Sequence, residues 1–449
     1  MATSSTRKRS TVRHTRAIQR DRTHRVTTAP PPEQVATRLT DLIAPATFAQ
    51  VAAFHAAGCR SRVLTLPVMV AFVLSLIWRQ IGSVREAVRV LNQEGFLWTS
   101  PTRVSPQALN LRLRTLPPHL FQAVLDEVLP QMQTRAATRQ RPLPPVLAWA
   151  DQHFTAVLSF DGSTLDALVR QTGLLRDGAG PVLAGRMAGL LNVTTRLPQH
   201  LWYEPDSTAH DQRFWARAEA AVPTGALLLV DLGFWNYEQF DRLTARQVWF
   251  ASRVKANAVW RVVRGLRRTA TVRESLIRLG ATARPDEAVV RLVELYRGGR
   301  WVRYVTNVCD PMALPAEYVP LLYAERWRIE EAFNLVKRLL GLAYSWSGAE
   351  NAIQSQVWAT WLLYAVLQDL TDEVAEHLRR PVGALSVEML FRALYHYMQA
   401  YQKDRTLEVV AYLANKAEEL DLIKARWRPP TPLPALEPLD FSAETLTCP

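Results

Sequence analysis

The sequence predicts an α/β domain with an all-α region before it and further helices after it. Three observations carry this. Residues 33–133 keep a helical apolar period. After the Pro-rich stretch 139–145 (RQRPLPP), which reads as a linker, short apolar runs that read as strands begin, and two of them end in an Asp followed closely by Gly. Beyond them lies one long amphipathic stretch at 316–342, followed by more helical sequence.

Each element has its own signal. Residues 1–32 form a basic arm, with Arg7, Lys8, Arg9, Arg13, Arg16, Arg20, Arg22 and Arg25 against the single acid Asp21. Such an arm is either a solvated tail or a source of nonspecific phosphate contacts. In the helical region 33–138, Pro67 suits a first helical turn, Ser83 can cap a helix at 84–92, and Ser105 before Pro106 can cap one at 107–116. The last two, joined by 95–102, form a candidate DNA-reading unit with Arg112 and Arg114 exposed, although the connection exceeds a helix-turn-helix turn. Strands are expected at 157–160, 190–195, 201–204, 226–230, 247–253, 288–296 and 301–308, with helices at 210–221, 272–279 and 316–342. Residues 256–300 read as a basic, irregular insertion within a catalytic domain at 146–345. A helical region at 346–428, a candidate for dimerisation, and a Pro-rich tail at 429–449 complete the chain.

Composition narrows the function. The chain has 449 residues, 48% hydrophobic and 21% charged, and a net charge of +13. That excess favours a polyanionic partner, nucleic acid before anionic membrane. The apolar run 63–78 is interrupted by Pro67, and the uncharged run 351–368 holds Asn351, Gln354, Ser355 and Gln356. Both read as buried helices rather than membrane spans. Three well-separated cysteines (Cys59, Cys309 and Cys448) argue against a disulfide framework or a zinc site, and fit a reducing, cytosolic compartment.

The chemistry concentrates in LLYAERWRIEEAFNLVKRLLGL, where Tyr323, Arg326, Glu330 and Lys337 are spaced Y-x2-R-x3-E-x6-K. At about 100° per residue these four share an arc of about 60° on an ideal helix. Leu322, Ile329, Phe333, Val336 and Leu340 form an adjacent apolar stripe. Glu331 lies about 100° away from Glu330. Asp161, in Asp161-Gly162-Ser163, and Asp231, in Asp231-Leu232-Gly233, sit where neighbouring strand ends can bring carboxylates together. Three carboxylates suit Mg2+ or Mn2+. Two such ions about 3.5–4 Å apart would activate a water or hydroxyl and stabilise the leaving oxygen of a phosphodiester. Taken singly, each Asp has the plainer reading of a turn residue, and Glu330 that of an i, i+4 ion pair.

The spacing Y-x2-R-x3-E-x6-K resembles the signature of the IS4-type insertion-sequence transposases, which include the Tn5 transposase. The segments SFDGSTLDAL, LLLVDLGFWNYEQFDRL, WFASRVKANA and RYVTNV resemble family segments and occur in family order, over about 155–370. The resemblance implies a DDE enzyme with an RNase H-like catalytic domain and a mostly β insertion, here about 256–300. It implies that Asp161, Asp231 and Glu330 are catalytic and hold the metals, Asp161 at the end of the first strand and Asp231 at the end of the fourth. Tyr323, Arg326 and Lys337 would hold phosphates of the transposon end. Trp301 is the candidate to stack on a flipped base, a contact worth about 1–3 kcal/mol, with a strand Trp in the core as the plainer reading, and Arg253 and Lys255 are candidates for backbone phosphate, with a solvated or packing role as theirs.

The implied activity is cut-and-paste transposition by divalent-metal-dependent hydrolysis and strand transfer. The implied cofactors are two Mg2+ or Mn2+ ions. The implied partner is double-stranded DNA, as terminal inverted repeats and target, bound by a homodimer at the nucleoid in the cytoplasm. Two other readings share the resemblance: an RNase H-like nuclease without strand transfer, and a domesticated DNA-binding protein that no longer transposes.

Overall fold

The computed structural model describes residues 33–60, 62–165, 185–206, 210–284, 287–340 and 349–436. The basic arm of 1–32 and the end of the Pro-rich tail lie outside them.

Among the described residues seven helices come first: α1 (Glu33–Ala49), α2 (Val51–Ala56), α3 (Leu66–Trp78), α4 (Val84–Gln93), α5 (Pro106–Thr115), α6 (His119–Thr138) and α7 (Pro145–His153). Capping sets three of their starts. Thr65, Ser83 and Ser105 each accept the backbone N–H three residues on, and a proline follows in the first turn of α3 and α5. Arg114 is exposed. Arg112 is engaged within the fold, donating to the Arg60 carbonyl at 3.0 Å and lying over the Phe54 ring.

The sheet follows. Its strands are β1 (Val157–Thr164), β2 (Arg186–Asn192), β3 (Pro198–Glu204), β4 (Leu227–Val230), β5 (Trp249–Arg253), β6 (Trp260–Arg268), β7 (Val272–Leu279), β8 (Val289–Arg297) and β9 (Arg300–Thr306), in spatial order 3-2-1-4-5-9-8-7-6. β1, β4 and β5 are parallel, and every other pairing is antiparallel. Helices α8 (Trp215–Ala221) and α9 (Tyr237–Ala245) are the crossovers that parallel pairing requires. They cover one face of the sheet through Phe214, Trp215, Phe240 and Leu243, while α7 and α10 (Val319–Ala324) cover the other. Leu433, in the described part of the tail, packs against that second face.

The remaining helices are α11 (Trp327–Arg338), α12 (Glu350–His377), α13 (Val387–Lys403) and α14 (Val409–Asn415). They share one apolar core with α1–α6, and Met187, Leu191 and Leu201 of β2 and β3 join it. α12 is its axis and is buried on nearly all sides from Ala352 to Ala375. Its first part is the uncharged run 351–368 that reads as a buried helix. Among the described residues no helix is long and apolar enough to cross a membrane.

Charge closes this core at the far end of α12. Asp369 and Asp372 are buried and face four arginines. Asp369 meets Arg139 at 2.7 Å and Arg135 at 3.3 Å, while Asp372 meets Arg139 at 3.1 Å and also contacts Arg141. Arg38 of α1 reaches Glu373 at 2.6 Å. Arg139 and Arg141 belong to the stretch that reads as a linker, and here it is clamped to α12.

Four expectations need correction. Residues 272–279 form strand β7, not a helix. The inward positions of β7 include Glu274, which breaks the apolar alternation and is matched by Arg291 at 3.5 Å and Arg267 at 3.7 Å. Strand β6, just before it, lies in the stretch read as irregular, because its side chains are mostly exposed and basic. The helix expected over 316–342 is two helices. Bonds of i to i+3 type (Arg326 N–H to Tyr323 O, Arg328 N–H to Glu325 O) tighten the chain between them. Cys59 is a free thiol, but Cys309 is disulfide-bonded.

Removing one partner from a buried ion cluster strands the others. Asp372→Ala is therefore expected to lose about 3–5 kcal/mol, read as a lower denaturation midpoint of the full chain. Glu373→Gln, at the rim, is expected to lose under about 1 kcal/mol.

Candidate active site

The parallel register places Val157 to Phe160 of β1 beside Leu227 to Val230 of β4. Both Asp residues come next in sequence, so they leave the ladder side by side. β1 runs on to Thr164, but from Asp161 onward it pairs only with β2. Asp161 accepts the Gly162 N–H at 2.7 Å, and Asp231 caps the turn after β4 by accepting the Gly233 N–H at 3.1 Å.

The tightened joint between α10 and α11 brings the third carboxylate. The Ser159 hydroxyl on β1 donates to the Arg326 carbonyl at 3.0 Å, which ties the joint to the strand. Gly189 faces Asp161 across the β1–β2 pair, and a side chain there would press on Leu201 and approach Ile329 of α11. Its absence lets α11 settle close to the sheet.

Arg326 lies at the centre. Its buried guanidinium reaches Asp161 at 3.3 Å, Asp231 at 3.4 Å and Glu330 at 2.8 Å. Tyr323 packs its ring within 5.8 Å of the same guanidinium and edge-on to Tyr304. Lys337, two turns on from Glu330, donates to the Ser163 hydroxyl at 2.5 Å and the Thr164 carbonyl at 2.6 Å. Glu331 faces elsewhere, toward Arg196 and Arg328. Arg253 and Lys255 are exposed at the end of β5, and Arg253 is close enough to Tyr323 to act on its hydroxyl. Trp301 sits at the β8–β9 hairpin, where Arg273 lies 4.1 Å over its ring and Tyr296 packs beside it.

One acidic residue here escapes the sequence reading. Asp211 presses on Gly162, where a Cβ would lie 2.8 Å from its carboxylate, and it pairs with Arg186 at 2.5 Å. Its neighbour Gln212 donates to the Gly233 carbonyl at 3.0 Å. A lone Asp at the head of a helix reads as a cap, so nothing in the spacing singles it out.

Electrostatics follow from crowding. Burial pushes the Asp161 carboxyl up to about 7, and the neighbouring Asp231 and Glu330 add to this. The Gly162 N–H and the Arg326 guanidinium only partly offset it. Burial also pushes the Tyr323 hydroxyl up to about 12, so it stays protonated and able to donate. The donor set is in kind what a hard divalent cation takes: three carboxylates already gathered round a cation. Among the described residues no three His, Cys, Asp or Glu side chains are close enough to chelate one ion as they stand. The guanidinium occupies the space between them.

Comparison with known proteins places part of this chain beside a known family. Residues 186–365 match the family model described as transposase DDE domain, a span that holds Asp231 and Glu330 and begins after Asp161. The chain is 24% identical over 196 residues to a probable transposase for insertion sequence element IS5377 from Geobacillus stearothermophilus, covering 39% of this chain and 51% of that one. It is 23% identical over 209 residues to the putative transposase y4zB of Sinorhizobium fredii, covering 42% and 58%. The chain thus spans just over half the length of the curated relatives it matches. Residues 186–365 thus resemble a transposase DDE domain, and the chain is weakly similar to insertion-sequence transposases. Among solved structures it is similar to a piggyBac transposase synaptic complex with hairpin DNA, at a TM-score of 0.42 and 9% identity over 88% of this chain and 86% of that one.

A carboxyl with an ordinary value of 3.8 that rises to about 7 on folding holds its proton more tightly in the folded chain. Its contribution to stability is whole below the unfolded value and is lost as pH climbs toward 7. Asp161→Asn is therefore expected to melt above the wild type at pH 8 in EDTA, with the gap closing at pH 5. Thermal unfolding at the two pH values checks this.

Proposed function

We propose that this chain is a transposase of the IS4 type that moves its own element by cutting and pasting DNA. The observation that carries the reading is the convergence of Asp161, Asp231 and Glu330, from two strand ends and a helix, on the single guanidinium of Arg326. β1–β5 with their helices form the RNase H-like core, and β6–β8 are the insertion of about 256–300. The helices of 33–138 and the basic arm serve the DNA, and the helices of 346–428 serve a homodimer that pairs two ends at the nucleoid.

Asp161, Asp231 and Glu330 would hold two Mg2+ or Mn2+ ions, which supply an activated water or hydroxyl and neutralise the leaving oxygen at phosphorus. The chain's own groups do the rest. Asp161 must give up its proton before it can serve as a ligand, so its raised value makes cation binding and proton release one event. Arg326 holds the carboxylates together in the absence of other cations, and its planar fork suits phosphate oxygens when it is released from them. Tyr323 stays protonated and donates to phosphate. Lys337 fixes the Ser163–Thr164 end of β1 and adds a positive charge there. Arg253 and Lys255 are exposed at the surface, where they would meet backbone phosphate. Trp301 would serve a flipped base only by giving up Arg273. Hydrolysis, hairpin formation and joining are all displacements at phosphorus, so one site serves each.

The test uses the full chain, Mn2+ and a duplex carrying the short inverted repeats expected at the ends of its element. Nicked ends and joined product are expected. Asp161→Ala, Asp231→Ala and Glu330→Ala should each abolish both, while Glu419→Gln, on an exposed surface pair, should not. Cut ends with no joined product would make it a nuclease of the same fold. Cutting by Asp161→Ala as fast as by wild type would end the proposal. A second outcome follows from Arg326. In Arg326→Gln the carboxylates lose their internal cation, so the metal-free chain should melt lower and gain more from Mn2+ than the wild type does. A smaller gain would count against the shared cation position.

A further inference from the structure

A cavity of about 660 Å³ lies beside α11, on the flank that carries Arg328, Glu331 and Leu335, and no step of the proposed reaction uses it. Arg196, Arg328, Arg338 and Lys424 line it, and Lys337 connects it to the β1 end of the site. Most of the cations are matched. Arg328 meets Glu325 at 2.7 Å and Glu331 at 3.2 Å, and Arg338 meets Glu388 at 2.7 Å. Among the described residues Arg196 pairs with Glu331, at 3.4 Å, which it shares with Arg328. Among the described residues the Lys424 ammonium makes no hydrogen bond or ion pair.

The cavity is built rather than merely charged. Arg196 adopts a left-handed backbone (φ 60°), its carbonyl accepts the Tyr364 hydroxyl at 2.8 Å, and its guanidinium rests on Gly383, where a Cβ would lie 2.7 Å away. Any larger residue at 383 would displace it. The wall opposite is the start of α13. Ser386, Val387 and Glu388 line the cavity, and the Ser386 hydroxyl accepts the Met389 N–H. The first N–H groups of a helix have no partner within it and attract anions. Burial and the neighbouring Arg196 hold the Lys424 ammonium below its ordinary value, a cost that an anion would remove.

We propose that this cavity binds a phosphate group, held by Arg196, Lys424 and the amino end of α13. Two sources share that chemistry: a backbone phosphate of DNA lying across the carboxylate site, and free phosphate. The DNA source rests on the transposase reading, and the phosphate site itself does not.

The experiment uses the full chain in EDTA, so that binding is measured without cutting. One arm titrates inorganic phosphate by calorimetry. The other follows a fluorescent random-sequence duplex by anisotropy from about 50 to 200 mM salt, where each phosphate contact contributes about 0.9 to the slope of log K against log salt. For a DNA phosphate, Lys424→Gln should weaken the duplex several-fold and lower that slope by about 0.9, and Lys424→Arg should restore both. For free phosphate, Lys424→Gln should abolish the calorimetric signal and leave the duplex unchanged. Lys424→Gln that melts as the wild type does and alters neither arm overturns the proposal. If Lys424-dependent phosphate binding persists in a chain that never cuts DNA, the cavity stands and the transposase reading falls.

Discussion

The parallel pairing of β1 with β4 is the constraint on which the site depends. Because Phe160 sits beside Val230, the next residue on each strand is an aspartate at the same level. The Ser159–Arg326 bond then brings the head of α11 to that level, and Glu330 follows one turn later. Three carboxylates against one guanidinium leave excess negative charge in a buried place. The fold meets it partly with Arg326 and partly by keeping Asp161 protonated up to about pH 7. A site left in this condition is poised for stronger cations. A shift of register by one residue would turn either aspartate to the opposite face of the sheet and dissolve the arrangement.

The sequence makes this site legible for a particular reason. Asp161 and Asp231 end apolar runs, and the Y-x2-R-x3-E-x6-K spacing survives even though the helix that carries it is broken. The break falls between Tyr323 and Glu330, where tight turns keep Arg326 facing both. Helical phase also distinguishes Glu330 from Glu331, whose partners lie on different sides of α11. What escapes is set by distant partners. Glu274 makes β7 look helical because its partner Arg291 is a strand away. Asp211 looks like a cap because the glycine it presses on lies 49 positions earlier in the chain. β6 carries arginines and exposed valines with no inward face to reveal a period. Arg139 and Arg141 look like linker charges because the aspartates that hold them come more than two hundred residues later.

Two kinds of packing hold the halves together. The sheet has its own cores on both faces, built from neighbouring segments. The helical layer instead draws α1–α6 and α11–α14 into one core around α12. The ion cluster at Asp369 and Asp372 makes that choice specific. Breaking these buried pairs would leave charge unmatched, so the cluster favours the docking of α12 against α6 and the 139–141 stretch that matches it.

That shared core has a consequence for how the chain is made. The first six described helices emerge from the ribosome long before α12, against which α3 and α6 pack. For the length of the whole sheet domain they must wait, apolar faces exposed, as a partly folded layer. The last helices to be synthesised therefore decide when the first ones become native. A chain shortened after β9 would strand its own amino-terminal third as an aggregation-prone intermediate rather than leave it as an independent module.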